Sequence, residues 1–328
     1  MEHLGTGWGK LLLFGEHAAV YGHPAVGLSL DTTLSVRLHT ESLPGWKIDG
    51  VAAGDRQKIL EVLDLLEDLS AQESEQRRGG GILWLESRIP RGLGFGSSAS
   101  LCVAMAAAVA SWRGVEDRRR IWEWAHRGEE LFHGTPSGID TGLALLRGLY
   151  SFHPHPPRLP EAEKLRGMPL HMVVGAVPRV RSAGALIGTL REKMAAGEKE
   201  VRAILQQLGA LAAEAADILD GCRNQGAEDA VTLGGLAREA HQLLSRLGLS
   251  TPELDRLLGE GRRRGALGGK LSGAGGGGAF FLICPGSETA GSVAAALVQL
   301  SRSWKLDTAT TIYAYTWSPI ANPTSPPS

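Results

Sequence analysis

Pro90-Arg91-Gly92-Leu93-Gly94-Phe95-Gly96-Ser97-Ser98-Ala99-Ser100 is the stretch on which the fold of this chain turns. It follows Ile82 to Ile89, whose apolar/polar alternation predicts a half-buried strand. It leads into Leu101 to Trp112, an Ala-rich run that predicts a buried helix closed by Gly114. A glycine loop that opens a helix leaves several backbone N–H groups unpaired and aimed at one spot, where the helix dipole also favours an anion. Phosphate is the obvious guest. The glycines alone would serve equally well for a tight strand-to-helix turn. Ser97 and Ser98 shift the balance, because they can cap the helix or offer a hydroxyl to a magnesium ion.

The rest of the composition bounds what such a loop can be part of. A chain of 328 residues exceeds the usual size of one hydrophobic core, so two domains are expected. An apolar fraction of 43% and a charged fraction of 21% are those of a globular protein rather than a disordered or fibrous one. The formal net charge of −1 predicts no broad attraction to nucleic acid or to an anionic membrane, so any phosphate chemistry must be local. Cys102, Cys222 and Cys284 are widely spaced and odd in number, which argues against a disulfide framework or a zinc knuckle. The apolar runs Leu11–Phe14 and Ala104–Ala110 are too short for a signal-peptide core or a membrane span, and the chain is read as cytoplasmic.

Competing motifs fail on context. The P-loop pattern breaks at Gly269-Lys270, with Arg264 where a glycine is required and Leu271 where Ser or Thr is required. Gly273, Gly275 and Gly278 satisfy G-x-G-x-x-G, yet a strand rather than a helix is predicted to follow, which disfavours a dinucleotide site. No G-x-S-x-G surrounds Ser97, Ser98 or Ser272, so a nucleophile elbow has no support. His153 and His155 flank a proline with no further ligand nearby and read as a surface loop.

Along the chain, Lys10–Phe14 predicts a strand and Ala18–Leu30 a second segment, with Gly15-Glu16-His17 between them. Gln57–Leu69 and Glu116–Phe132 have helical spacing, and the run from about residue 70 to Gly81 reads as an exposed loop. The proline-dense stretch His153–Pro160 marks a domain boundary, giving domains over 1–160 and 161–317. In the second, Leu170–Val177, Ala279–Cys284 and Thr308–Thr316 predict strands. Gly184–Leu219, Gly234–Leu247 and Thr251–Arg264 predict helices, and 318–328 a disordered tail.

Three segments in order resemble the GHMP kinase superfamily: Gly9-Lys10 through Gly15-Glu16-His17-Ala18-Ala19-Val20-Tyr21-Gly22 to Ala25, Pro90–Ser100, and Lys270-Leu271-Ser272-Gly273 through Gly278. Within it, the first segment and His133–Asp140 are most similar to the mevalonate kinases. The resemblance implies an α/β (α+β) chain with an N-terminal ribosomal-protein-S5-like ATP-binding domain and a C-terminal ferredoxin-like domain. It also implies ATP and Mg²⁺ as cofactors and mevalonate as the acceptor. Other small-molecule kinases of the superfamily, such as phosphomevalonate or sugar kinases, and a catalytically silent ligand-binding member stay open at this point, as does a homodimer.

Residue by residue, the resemblance implies that Gly92, Gly94, Gly96, Ser97, Ser98 and Ala99 wrap the triphosphate. Ser98 and Glu129 would hold Mg²⁺. A carboxylate near a helix C-terminus, where Glu129 falls, is tolerable beside a cation. Asp140 would take the acceptor's hydroxyl proton, with Lys10 beside it and the transferring phosphoryl group. Glu16, His17 and Arg181 would contact the acceptor, Arg181 through its carboxylate. The chain departs from the family pattern in Gly7-Trp8 where Ala-Pro is usual, in Ala183 where a threonine is frequent, and in Thr141 where Asn is common.

Overall fold

The computed structural model describes residues 1–41, 43, 45–71, 79–221 and 226–319. In chain order the elements are β1 (Glu2–Phe14), a 3-10 turn (Ala18–Tyr21), β2 (Ala25–Thr40), β3 (Trp46–Asp49), α1 (Ala53–Ala71) and β4 (Gly81–Ser87). Then come α2 (Ser97–Arg113), α3 (Arg118–His133), α4 (Ile139–Leu146), β5 (Leu149–His155), β6 (Arg158–Lys164), β7 (Leu170–Val177), α5 (Ala183–Ala195) and α6 (Lys199–Leu219). The last are α7 (Ala227–Arg246), α8 (Pro252–Arg263), β8 (Gly268–Leu271), β9 (Gly278–Cys284), α9 (Ser287–Ser303) and β10 (Thr311–Trp317). The class is mixed α/β, as the sequence predicts. Two compact units result: Met1–Lys10, Ser29–Arg91 and Phe95–Arg147 form the first, and Leu11–Leu28, Gly92–Gly94 and the chain from Gly148 onward form the second.

In the first unit, the later half of β2 runs antiparallel to β4 from Leu34 opposite Ser87 to Thr40 opposite Gly81, and β3 joins β4 in parallel. Leu34, Val36 and Leu38 are buried while Arg37 is exposed, the alternation of a strand with one covered face. Helix α2 is buried from Ala99 to Val103 and beyond, which is why its sequence shows little amphipathic contrast. Its small residues also admit β1 at backbone contact. A Cβ on Gly7 would lie 2.1 Å from the Ser100 carbonyl oxygen, and one on Gly5 would lie 1.9 Å from that of Ala104. Any side chain at either position would drive the strand off the helix. Helix α3, capped by the Asp117 carboxylate accepting from Arg119 N–H, turns Trp122, Trp124, Gly128 and Glu129 inward.

In the second unit the antiparallel order is β10-β7-β9-β8. Every residue of β9 is buried, so the continuous apolar run Ala279–Cys284 reads as an interior strand. Residues Ala25–Leu28 of β2 pair with β5, which pairs with β6. Helix α8 starts where Thr251 accepts from Leu254 N–H with Pro252 in the first turn, and it buries Leu254, Leu257, Leu258 and Gly261.

Several expectations need correction. The helix predicted over Gly184–Leu219 is two, α5 and α6, because Gly197 at φ 75° takes a left-handed turn between them. Helix α7 starts at Ala227, seven residues before the predicted Gly234, since its polar first turn lacks the apolar repeat. His153–Pro160 forms the β5–β6 hairpin, turning through Pro156-Pro157, and it places His153 and His155 on a strand rather than in a loop. Helix α9 had no sequence expectation at all. Residues 72–78 of the predicted loop, Cys222 and the tail 320–328 lie outside the described residues. No helix of the described residues is long and apolar enough to cross a membrane.

Candidate active site

Four of the predicted residues meet in the first unit. Lys10 Nζ lies 3.0 Å from Asp140 Oδ2, with the lysine side chain 4% exposed and the aspartate 43%. The Lys10 N–H donates to the Phe95 carbonyl at 3.0 Å, fixing β1 to the glycine loop. Asp140 is the second residue of α4, where the helix dipole favours a carboxylate. The turn before it is held by Thr141, whose buried hydroxyl donates to the Gly138 carbonyl at 2.9 Å and accepts from Trp122 Nε1–H at 3.1 Å. The departure at Thr141 therefore supplies its own anchor.

One helix over, Ser98 Oγ donates to Glu129 Oε1 at 2.9 Å, and His133 Nε2 lies 3.2 Å from Ser98 Oγ and 3.3 Å from Glu129 Oε1. Glu129 is 2% exposed, and its Oε2 makes no hydrogen bond. Burial, then the charge of Asp140, pushes its carboxyl up to about 8, against the opposing pull of Ser98, Cys102 and Lys10. The nearby Cys102 thiol is in turn raised well above its ordinary value by burial and by Glu129. It biases the carboxylate without completing a well-formed bond to Oε2. Gly96 precedes α2 at φ 81° and no side chain caps the helix, so the first turn of Ser97, Ser98 and Ala99 presents uncapped N–H groups.

The donor set fits a hard divalent cation. A buried carboxylate with an unpaired oxygen and a hydroxyl is what an ion that keeps waters and bridges phosphates requires. A positive charge there would relieve the like-charge strain between Glu129 and Asp140.

The residues predicted to contact the acceptor, Glu16, His17 and Arg181, lie in the second unit, around the Gly273–Gly278 loop. His17, itself at φ 60°, places Nε2 3.2 Å from the Ala274 carbonyl oxygen. Although part of its surface is open, its ring is densely surrounded, and burial lowers its pKa to about 4, so it is neutral at pH 7. Glu16 is buried in an ion pair with Lys270, which also donates to the Leu271 carbonyl at 2.8 Å. Ser272 Oγ accepts from Leu12 N–H at 3.1 Å and donates to the Leu12 carbonyl at 2.8 Å, tying β1 to the same loop. Arg181 donates to the Gly248 carbonyl, and Ser182 caps α5 through Ala185 N–H at 3.2 Å beside Ala183. Gly92 and Gly94 also belong to this unit, where Arg179 Nη1 donates to the Gly92 carbonyl at 3.3 Å.

Sequence reasoning gave no site role to His133, Lys270 and Ser272, although each stands in a quoted motif, and none to Arg179. His133 was legible as the residue one turn beyond Glu129 on the same helix face. Arg179 carried no signal beyond being a basic residue near Arg181.

Comparison with known proteins bears on the family of the chain. The model of the GHMP kinases N-terminal domain matches residues 58–148, and that of the GHMP kinases C-terminal domain matches 218–301. A mevalonate kinase of Pyrococcus horikoshii is 32% identical over 300 residues, covering 85% of this chain and 88% of that protein. One of Archaeoglobus fulgidus is 32% identical over 287 residues, covering 87% and 93%. Among solved structures, L. major mevalonate kinase in complex with R-mevalonate superposes with a TM-score of 0.78 at 24% identity, over 97% of this chain and 96% of that one. With both kinase domains matched in order and archaeal relatives of this identity aligned over most of its length, the chain belongs to the GHMP kinases, in the mevalonate kinase family.

Proposed function

We propose that the chain transfers the γ-phosphoryl group of ATP to the primary hydroxyl of mevalonate, giving 5-phosphomevalonate and ADP. The observation that carries this reading is the Lys10–Asp140 pair at 3.0 Å in the unit that also holds Ser98 and Glu129. Phosphoryl transfer asks mainly for positioning and charge neutralisation. Asp140 receives the acceptor hydroxyl proton as the new O–P bond forms and the bond to the β-phosphate oxygen breaks. Lys10 engages Oδ2, which leaves Oδ1 for the proton. Lys10 also offsets charge on the transferring group. The uncapped first turn of α2, with Gly96 ahead of it, binds phosphate oxygens through N–H groups. Ser98 and Glu129 would hold Mg²⁺, which when bound neutralises phosphate charge. Glu16, neutral His17 and Arg181 are assigned to the acceptor, Arg181 to its carboxylate.

The domain limits 1–160 and 161–317 and a cytoplasmic location are part of the same reading; free, buried Cys102 and Cys284 support the second. Sedimentation of the full chain decides between a monomer and a homodimer. The test of function is an ADP-release screen over mevalonate, phosphomevalonate, homoserine and galactose with Mg·ATP. Release is expected with mevalonate. Release with a sugar alone overturns the acceptor assignment, and ATP binding without turnover of any alcohol identifies a ligand-binding member.

A further inference from the structure

Trp8, the residue at which the chain leaves the family's N-terminal pattern, faces an unusual partner. The guanidinium of Arg147 lies over the Trp8 ring, 4.1 Å from its centroid. Arg147 ends α4 with φ 51° and ψ 110°, a backbone conformation that a non-glycine residue adopts only when its surroundings impose it. The residue is exposed, so core packing does not impose it.

Both residues belong to elements that already meet at the proposed reaction centre. Trp8 stands two residues before Lys10 on β1 and therefore on the same side of the strand. Arg147 closes the eight-residue helix whose first turn carries Asp140. So short a helix does not hold its own geometry, and its ends must be tied down. The beginning is tied by Trp122 and Thr141 to Gly138, and the later turns by Ser29 Oγ donating to the Leu143 carbonyl at 2.7 Å and Arg118 donating to that of Leu145 at 3.1 Å. Of these contacts and the Trp8–Arg147 stack, only the stack joins the Lys10–Asp140 pair in tying α4 to β1, and it does so at the opposite end of the helix.

We infer that the Trp8–Arg147 stack is a positioning clamp: it locks α4 against β1 and so sets the approach of Asp140 to Lys10. The strained backbone at Arg147 is what turns its side chain onto the indole. This rests on the phosphoryl-transfer reading for its kinetic consequence, and on unit-one geometry alone for the clamp itself.

The test uses Trp8→Leu, Arg147→Gly and their combination, each made in the wild-type chain and in Lys10→Met. Glycine at 147 accepts the left-handed backbone without strain, so that variant removes the contact while leaving folding competent. Each single substitution is expected to lower kcat about tenfold with KM for ATP and mevalonate nearly unchanged, and the double variant to be no slower than either. Trp8→Phe, which keeps an aromatic face, should restore most of the rate. In Lys10→Met, where no pair remains to be positioned, neither substitution should cost more. Amide hydrogen exchange over α4 should quicken in both single variants. Unchanged kcat, or equal further losses in Lys10→Met, overturns the positioning role. Unchanged α4 protection overturns the clamp even if the wild-type chain phosphorylates no alcohol, the outcome that would instead defeat the functional reading.

Discussion

Gly96→Ala separates backbone strain from the geometry of the reaction centre. Gly96 sits at φ 81° and ψ 31°, so any L-residue there costs roughly 1–2 kcal/mol in backbone conformation alone. The added Cβ would also lie 2.7 Å from Lys10 Cγ and 3.2 Å from its Cε. Ordinary carbon contacts are about 3.5–4.0 Å, so the lysine chain must retreat by about 1 Å. With its side chain only 4% exposed, it has little room to do so without moving Nζ away from Asp140 Oδ2, now 3.0 Å distant. A displacement of that size costs about 10²-fold in rate. Gly114→Ala is the control. At φ 71° and ψ 26° on the other end of the same helix it carries the same strain, but its Cβ would meet nothing within 4 Å. Denaturant unfolding should show a stability loss of roughly 1–2 kcal/mol for Gly114→Ala and a loss at least as large for Gly96→Ala. Steady-state kinetics should show near-normal kcat for Gly114→Ala and a loss of about 10²-fold for Gly96→Ala. If Gly96→Ala turns over as fast as Gly114→Ala, the pair is not what the loop glycine protects.

Three other outcomes follow from the site. Asp140→Asn should lower kcat by about 10²–10⁴-fold with ATP binding kept, measured by turnover and by calorimetric titration. Glu129 has a folded pKa of about 8 against the ordinary 4.5, so the folded chain keeps a proton that the unfolded chain has lost over that window. Stability without ligand should therefore fall as pH rises from 4.5 to 8, by on the order of 5 kcal/mol at most, and Glu129→Gln should flatten that slope in unfolding scans. Gly275→Ala, whose Cβ would sit 2.3 Å from the Leu249 carbonyl oxygen at φ 83°, should lower the melting temperature and weaken acceptor binding, since His17 and Arg181 both border that loop.

Local chemistry in the sequence carried the site further than it carried the architecture. Lys10, Ser98 and Asp140 were legible because each belongs to a motif whose order is preserved, and Glu129 only through what the resemblance implies; the first unit brings these four together. The strand β9 was legible because burial on both faces leaves an unbroken apolar run. The division into units was not, because β1 and β2 each run through both, and no local pattern marks such a crossing. The helical state of Asp140 was hidden by the Gly138 turn, and α7's first turn by its polar residues. Lys270 was legible as part of the third motif, but its burial was not, because its partner Glu16 lies 254 residues away. Trp8 registered only as a departure, since its partner Arg147 lies far along the chain.

The central claim is transfer of phosphate to the primary hydroxyl of mevalonate by a centre built on Lys10 and Asp140. Phosphorus and carbon NMR of the products formed from mevalonate and Mg·ATP, with the wild-type chain and with Asp140→Asn in parallel, tests it most directly. A phosphomonoester on the terminal carbon, forming with ADP in equal amounts in the wild type and nearly absent in the variant, is the predicted result. ADP without a phosphorylated mevalonate, or the same product at the same rate from Asp140→Asn, contradicts it.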